Sequence, residues 1–198
     1  MSDPLYIGFE GPIGAGKTTL AGLLASHLGT TPILEDVDGN EFLADFYEDR
    51  IRWSLPMQLS FLISRHRQLR TALSRAGGTL IGDYTYAKDA IFARMLLLGR
   101  ELGLYNAIAA ELAAAVVQPD LVVFLDAEDA VLLNRIKLRG RRYEASITKA
   151  YLDSVRVAYE EHLASRPETN VLRLNTSTLN LKSESELSEL YKRIMAAC

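Results

Sequence analysis

Gly11-Pro12-Ile13-Gly14-Ala15-Gly16-Lys17-Thr18 fits the pattern G-x-x-x-x-G-K-[ST] at every fixed position. Before it, Leu5-Tyr6-Ile7-Gly8-Phe9 is short, apolar and aromatic, the composition of a buried strand. After it, Thr19-Leu20-Ala21-Gly22-Leu23-Leu24-Ala25-Ser26-His27-Leu28 carries apolar residues at helical spacing. Strand, glycine loop and helix together make a phosphate site. The glycines let backbone N–H groups turn inward, where they and the helix N-terminus hold phosphate oxygens. Lys17 can reach the β- and γ-phosphates, and the Thr18 hydroxyl can ligate Mg²⁺. Gly11 through Thr18, with Thr19 behind them, are therefore expected to bind a nucleoside triphosphate. A glycine-rich turn opening an ordinary helix is the competing explanation, but it gives no reason for every fixed position and both flanks.

Working outward, four more short apolar runs alternate with helix-length segments: Pro32-Ile33-Leu34, Thr79-Leu80-Ile81-Gly82, Leu121-Val122-Val123-Phe124-Leu125 and Val171-Leu172-Arg173-Leu174. Such alternation predicts a five-stranded parallel sheet with helices on both faces, a doubly wound α/β domain. Ligands then sit at the carboxyl ends of the strands. No repeat, low-complexity segment or linker divides residues 1–198, so one domain is expected. A Ser-rich stretch over 176–188 leads into a last amphipathic helix over about 183–197.

The chain has 198 residues, 48% hydrophobic and 24% charged, an ordinary globular composition. A net charge of −3 offers no attraction to nucleic acid or anionic membrane. One cysteine, Cys198, excludes an intrachain disulfide and fits a reducing compartment. Met1-Ser2-Asp3-Pro4, with no basic patch followed by an apolar stretch, is not expected to open a signal peptide. No apolar run is long enough to span a bilayer. A cytoplasmic location is expected.

Chemistry collects at the expected strand ends. Glu35-Asp36, Asp83 and Asp126 all arrive there, and one could take a proton from an acceptor hydroxyl while another supports Mg²⁺. Capping and turn roles compete for each. A long helix over about 52–76 places Gln58 and Arg65 seven residues apart on one side. Arg135-Ile136-Lys137-Leu138-Arg139-Gly140-Arg141-Arg142 is a dense cationic cluster at a helix end. It suits an Arg-rich lid, over about 139–146, that closes on transferring phosphates. A solvated basic face is the alternative.

These residues, in this order, resemble the deoxynucleoside kinases, and particularly their bacterial deoxyadenosine/deoxyguanosine kinase-like branch. The resemblance runs from about Leu5 to about Leu163 through GPIGAGKTTL, Glu35-Asp36-Val37, FLADFYEDRIRWSLPMQLSFLISR, Asp83 with Phe92-Ala93, RIKLRGRRYE, Tyr151-Leu152 and Tyr159-Glu160. It implies a P-loop kinase that uses ATP and Mg²⁺ to phosphorylate the 5′-hydroxyl of a deoxynucleoside, in nucleotide salvage. It implies Glu35 as the base for that hydroxyl, and Tyr47 with Glu144 as the grip on the sugar 3′-hydroxyl. Gln58 would read the base edge with Arg65 and Asp89, and Met57 and Phe92 would sandwich the base, with Leu43 also in contact. Arg135, Arg139 and Arg141 match the lid arginines, Arg139 touching the triphosphate as well. Asp83 matches the acidic residue that holds Mg²⁺ together with Thr18. The family's homodimers are built from helices matching 53–76 and 106–117 here.

The resemblance breaks at one segment. An Arg usually follows the acidic residue, whereas Asp83 is followed by Tyr84-Thr85. The step from Asp89 to Phe92 is also one residue short, which leaves Asp89 and Lys88 as alternatives beside the base. An Arg and Asp beside the glutamine accompany purine or cytosine acceptance in the family, so a purine deoxynucleoside, deoxyadenosine first, is the expected substrate. A nucleoside monophosphate kinase of the thymidylate kind shares loop, sheet and lid. A non-catalytic nucleotide switch is a further alternative, although no guanine-reading Asn-Lys-x-Asp occurs.

Overall fold

A computed structural model describes residues 4–75, 78–114 and 116–198. Strand β1 (Tyr6–Glu10) is buried along its whole length and leads through the glycine loop into α1 (Lys17–His27). Then come α2 (Leu43–Glu48), α3 (Arg50–Arg75), β2 (Leu80–Gly82), α4 (Ala87–Leu96) and α5 (Gly99–Ala113). The chain continues as β3 (Leu121–Asp126), α6 (Asp129–Arg139), a 3₁₀ turn (Arg142–Ser146), α7 (Lys149–Ala164), β4 (Val171–Asn175) and α8 (Glu184–Ala196). The expected helix end at Ala76, and Ala115 in the second expected dimer helix, lie outside the described residues. That second helix, expected over 106–117, closes at Ala113.

The sheet is parallel, in the order β2-β1-β3-β4. Among the described residues it has four strands rather than the five expected. Pro32-Ile33-Leu34 contributes a single bridge, from Ile33 to Gly82. Ile33 donates to the Ile81 carbonyl at 2.7 Å and accepts from the Asp83 N–H at 3.0 Å. The ladder goes no further. The Glu35 N–H, next in register, is taken by the Asp83 side chain at 2.8 Å.

Apolar clusters cover both faces. Ile7, Phe9, Val123 and Leu125 pack on one side with Leu20 and Leu24 of α1, Leu132 of α6 and Ile194 of α8. Tyr6 and Leu80 pack on the other with Leu62 and Leu69 of α3 and Tyr105 of α5. A smaller cluster of Phe46, Met57 and Phe61 joins α2 to α3, beyond the strand ends. No helix among the described residues is long and apolar enough to cross a membrane.

Candidate active site

The glycine loop is wedged between β3 and α6. Gly11 has φ 133°, and a Cβ there would lie 1.9 Å from the Leu125 carbonyl oxygen. Gly14, at φ 86°, would put one 2.9 Å from the Leu132 carbonyl oxygen. Only glycine meets both the conformation and the close approach. Gly16 caps α1 in the left-handed region, so the first N–H groups of the helix open toward the loop. Lys17 folds over the loop, its Nζ donating to the carbonyls of Gly11 (2.7 Å) and Pro12 (2.9 Å). Burial, and then the charge of Lys88, pull its amine down to about 8.

Asp83 joins this loop to the next group. Its Oδ2 accepts from the Thr18 hydroxyl at 2.6 Å, and its Oδ1 accepts the Glu35 N–H. The Glu35 carboxylate is clamped: Arg65 donates to Oε1, and Lys88 Nζ to Oε2 at 2.7 Å. Burial opposes its charge, but Lys88 and Arg65 outweigh burial and hold the carboxyl well below the usual carboxylate range. Arg65 is fixed from three sides. It donates to Glu35 and to Asp89 Oδ1, and its guanidinium lies 4.7 Å from the Phe61 ring centroid and 5.5 Å from that of Tyr84.

A cavity of about 630 Å³ runs from the loop past Glu35 to an apolar end made by Leu43, Phe46, Met57, Phe61, Phe92 and Leu96. This is the size of a small-molecule site. Gln58 and Arg65 both line it and both are buried. Gln58 Oε1, Arg65 Nε and Asp89 Oδ2 are buried without a hydrogen-bond partner. Asp89 lies behind Arg65, and burial pushes its carboxyl up to about 7 against the pull of that arginine. Lys88, not Asp89, lines the cavity. Tyr47 stacks on Tyr143 at 5.3 Å, and Glu144 stands near them, buried.

The arginines follow α6 and the turn after it. Arg139 grips Glu144 through Nε (3.0 Å) and Nη2 (2.6 and 2.7 Å), and Arg141 approaches the same carboxylate at 3.7 Å. Arg135 donates to the Thr176 carbonyl (2.7 Å), to its hydroxyl (2.9 Å) and to the Gly14 carbonyl (3.4 Å). All three line the cavity.

Two of the strand-end carboxylates stand apart from it. Asp36 caps its own turn through the Gly39 N–H at 3.0 Å, and Asp126 accepts from Arg156 Nε at 2.9 Å. Thr176, Leu179 and Leu181 line the cavity and escaped the sequence reading. Their signal was position: they directly follow β4, where ligand-facing residues of such sheets gather.

Among the described residues no three His, Cys, Asp or Glu side chains group as a metal site. The neighbouring oxygens of Thr18 and Asp83 nevertheless fit Mg²⁺, which takes few protein ligands and completes its shell with phosphate and water.

Comparison with known proteins gives a consistent picture. A family model described as deoxynucleoside kinase matches residues 7–198. A deoxyguanosine kinase of Bacillus subtilis is 34% identical over 182 residues, covering 88% of this chain and 88% of the relative. A deoxyadenosine kinase of Dictyostelium discoideum is 35% identical, covering 87% and 72%. A solved deoxyadenosine kinase of M. mycoides with bound dCTP superposes with TM-score 0.82 at 22% identity, over 97% of this chain and 100% of that one.

Proposed function

The chain belongs to the deoxynucleoside kinase family, and from that premise we propose that it transfers the γ-phosphoryl group of ATP to the 5′-hydroxyl of a purine deoxynucleoside, deoxyadenosine first. The roles assigned to individual residues are part of this reading. The single observation that carries the base assignment is the unpartnered pair on the cavity wall: Gln58 Oε1 and Arg65 Nε, both buried. A buried polar atom without a partner is costly. An acceptor and a donor suit a base with an exocyclic amino group beside a ring nitrogen. Adenine and cytosine have that edge; thymine presents a carbonyl in place of the amino group. Met57 and Phe92 stand as walls for the base, and Tyr47 and Glu144 face the sugar.

In the reaction, the 5′ oxygen attacks the γ-phosphorus and the bond to the β–γ bridging oxygen breaks. The hydroxyl proton passes to Glu35 and ADP leaves. A carboxylate so strongly stabilised is a weak base. That suffices, because the transition state of phosphoryl transfer is loose and asks mainly for alignment and charge neutralisation. Glu35 then holds the hydroxyl in line until its proton becomes acidic. Lys17, Arg135, Arg139 and Arg141 supply positive charge. Mg²⁺ held through Thr18 and Asp83 would neutralise the phosphate oxygens when bound.

Arg65 is committed to Glu35 and Asp89, so it is not free to hold an acceptor phosphate, as a nucleoside monophosphate kinase would require. We further propose a homodimer. The packed pair α3 and α5 leaves Ile63, Leu98 and Leu104 exposed, as a helix-to-helix interface would use them. Salvage of deoxynucleosides in the cytoplasm is the setting that fits.

The test is a panel of deoxyadenosine, deoxyguanosine, deoxycytidine, thymidine and deoxyadenosine monophosphate with ATP and Mg²⁺. Deoxyadenosine should give the highest kcat/KM, and the monophosphate no turnover. Thymidine as the best acceptor would overturn the base assignment.

A further inference from the structure

Lys88 sits in the first turn of α4, its stem beside Phe92 one turn on, with Nζ 5.9 Å from the Phe92 ring centroid. Its side chain lines the cavity and is about nine-tenths buried, 11% exposed. Among the described residues its side chain has one hydrogen-bond partner, Glu35 Oε2. That distinguishes the two cations on Glu35. Arg65 is locked by a second carboxylate and two aromatic rings. Lys88 is a point charge on a flexible stem, tied at one place.

The acceptor hydroxyl needs an oxygen of Glu35, and Oε2 is the one whose present partner can move. Once displaced, Lys88 has one strong anion to turn to: the triphosphate end bound at Lys17. Both amines belong to residues lining the same cavity, Lys17 at the loop and Lys88 at Glu35. Tyr84, where an arginine would be expected after the acidic residue, is turned away. It is fully buried, and its hydroxyl donates to Gln68 Oε1 at 2.6 Å.

Resting on the kinase reading above, we propose that Lys88 is a catalytic residue: it releases Glu35 Oε2 to the acceptor hydroxyl and moves onto the phosphoryl group in transit. The covalent balance is unchanged. The 5′ oxygen bonds to phosphorus, ADP leaves with the electron pair of the broken P–O bond, and the proton goes to Glu35. Lys88 donates hydrogen bonds and keeps its protons.

The experiment compares Lys88→Met and Lys88→Arg with the unaltered enzyme, measuring kcat, nucleoside KM and melting temperature. Lys88→Met should lower kcat about 10²–10³-fold, the usual cost of one transition-state donor, with deoxynucleoside KM changed less than about threefold. Lys88→Arg, which keeps the charge, should recover about tenfold of the loss or more. Lys88→Gln, neutral and polar, replaces the Met variant if that one fails to fold. A kcat within about threefold of the unaltered enzyme, or an effect confined to KM, would overturn the assignment while leaving the kinase intact. Absence of deoxynucleoside turnover by the unaltered enzyme would overturn the kinase reading itself, and the Lys88 role with it.

Discussion

Glu35, proposed above as the base, stands between the phosphate loop and the apolar end of the cavity with a cation on each oxygen. Glu35→Gln keeps the shape but cannot take the proton, and it leaves Arg65 and Lys88 without their anion. A fall in kcat of about 10²–10⁴-fold, with nucleoside KM changed far less, is the expected result of steady-state kinetics. A larger loss in Asp36→Asn or Asp126→Asn would contradict it. Asp89 gives a pH signature. Its carboxyl is pushed up to about 7 by burial, with Arg65 pulling down, Glu35 pushing up, Lys88 pulling down and Glu10 pushing up. Ionised, it is the second carboxylate that holds Arg65 in the cavity wall, so kcat/KM for deoxyadenosine should rise as pH climbs through about 7. Asp89→Asn should flatten that step. The ligand-free fold responds in the opposite sense. With a folded pKa above the unfolded value of 3.8, the native state binds the extra proton, and this residue's contribution to stability falls between about pH 4 and about pH 7.

Among the elements, the pairing of the glycine loop with α6 is the tightest constraint. A Cβ on Gly14 would press on the Leu132 carbonyl and, at 3.2 Å, on Ile136. Backbone of α6 cannot swing aside as a side chain can, and φ 86° is already unfavourable for alanine. Gly14→Ala should therefore cost about 1–3 kcal/mol of stability and weaken ATP binding, read by thermal unfolding and by calorimetric titration. An unchanged melting temperature would show that the loop is free of α6. The turn after α6 is held by side chains. Arg139 and Arg141 both converge on Glu144, so Glu144→Gln should loosen the 3₁₀ turn and raise nucleoside KM more than it lowers kcat.

At the scale of the whole molecule, the proposed homodimer would cover Ile63 of α3, Leu104 of α5 and Leu98 just before α5, all exposed on the single chain. Sedimentation equilibrium at micromolar concentration should report twice the 22.0 kDa of one chain. A species of 22.0 kDa would rule the dimer out. Replacing Leu104 by Glu should then shift a dimer toward monomer with the fold intact, as followed by circular dichroism.

The amino-acid order by itself determined the parallel α/β plan, the phosphate loop and the family. Each depends on local chemistry: the fixed positions over 11–18, the alternation of apolar runs with helices, and short fragments in a given sequence order. Four strands were legible for the same reason. The fifth was not, because whether Ile33 extends a ladder depends on a side chain fifty residues away, Asp83, capturing the Glu35 N–H. The base-edge residues show the same division. Helical spacing put Gln58 and Arg65 on one side, but the choice between Asp89 and Lys88 lay beyond it. Neighbours in sequence on α4 point into different surroundings, one behind Arg65 and one into the cavity. Only the packing of α4 against α3 and the end of β2 decides which charge meets which, since long-range electrostatic partners are fixed by contacts that sequence order does not encode.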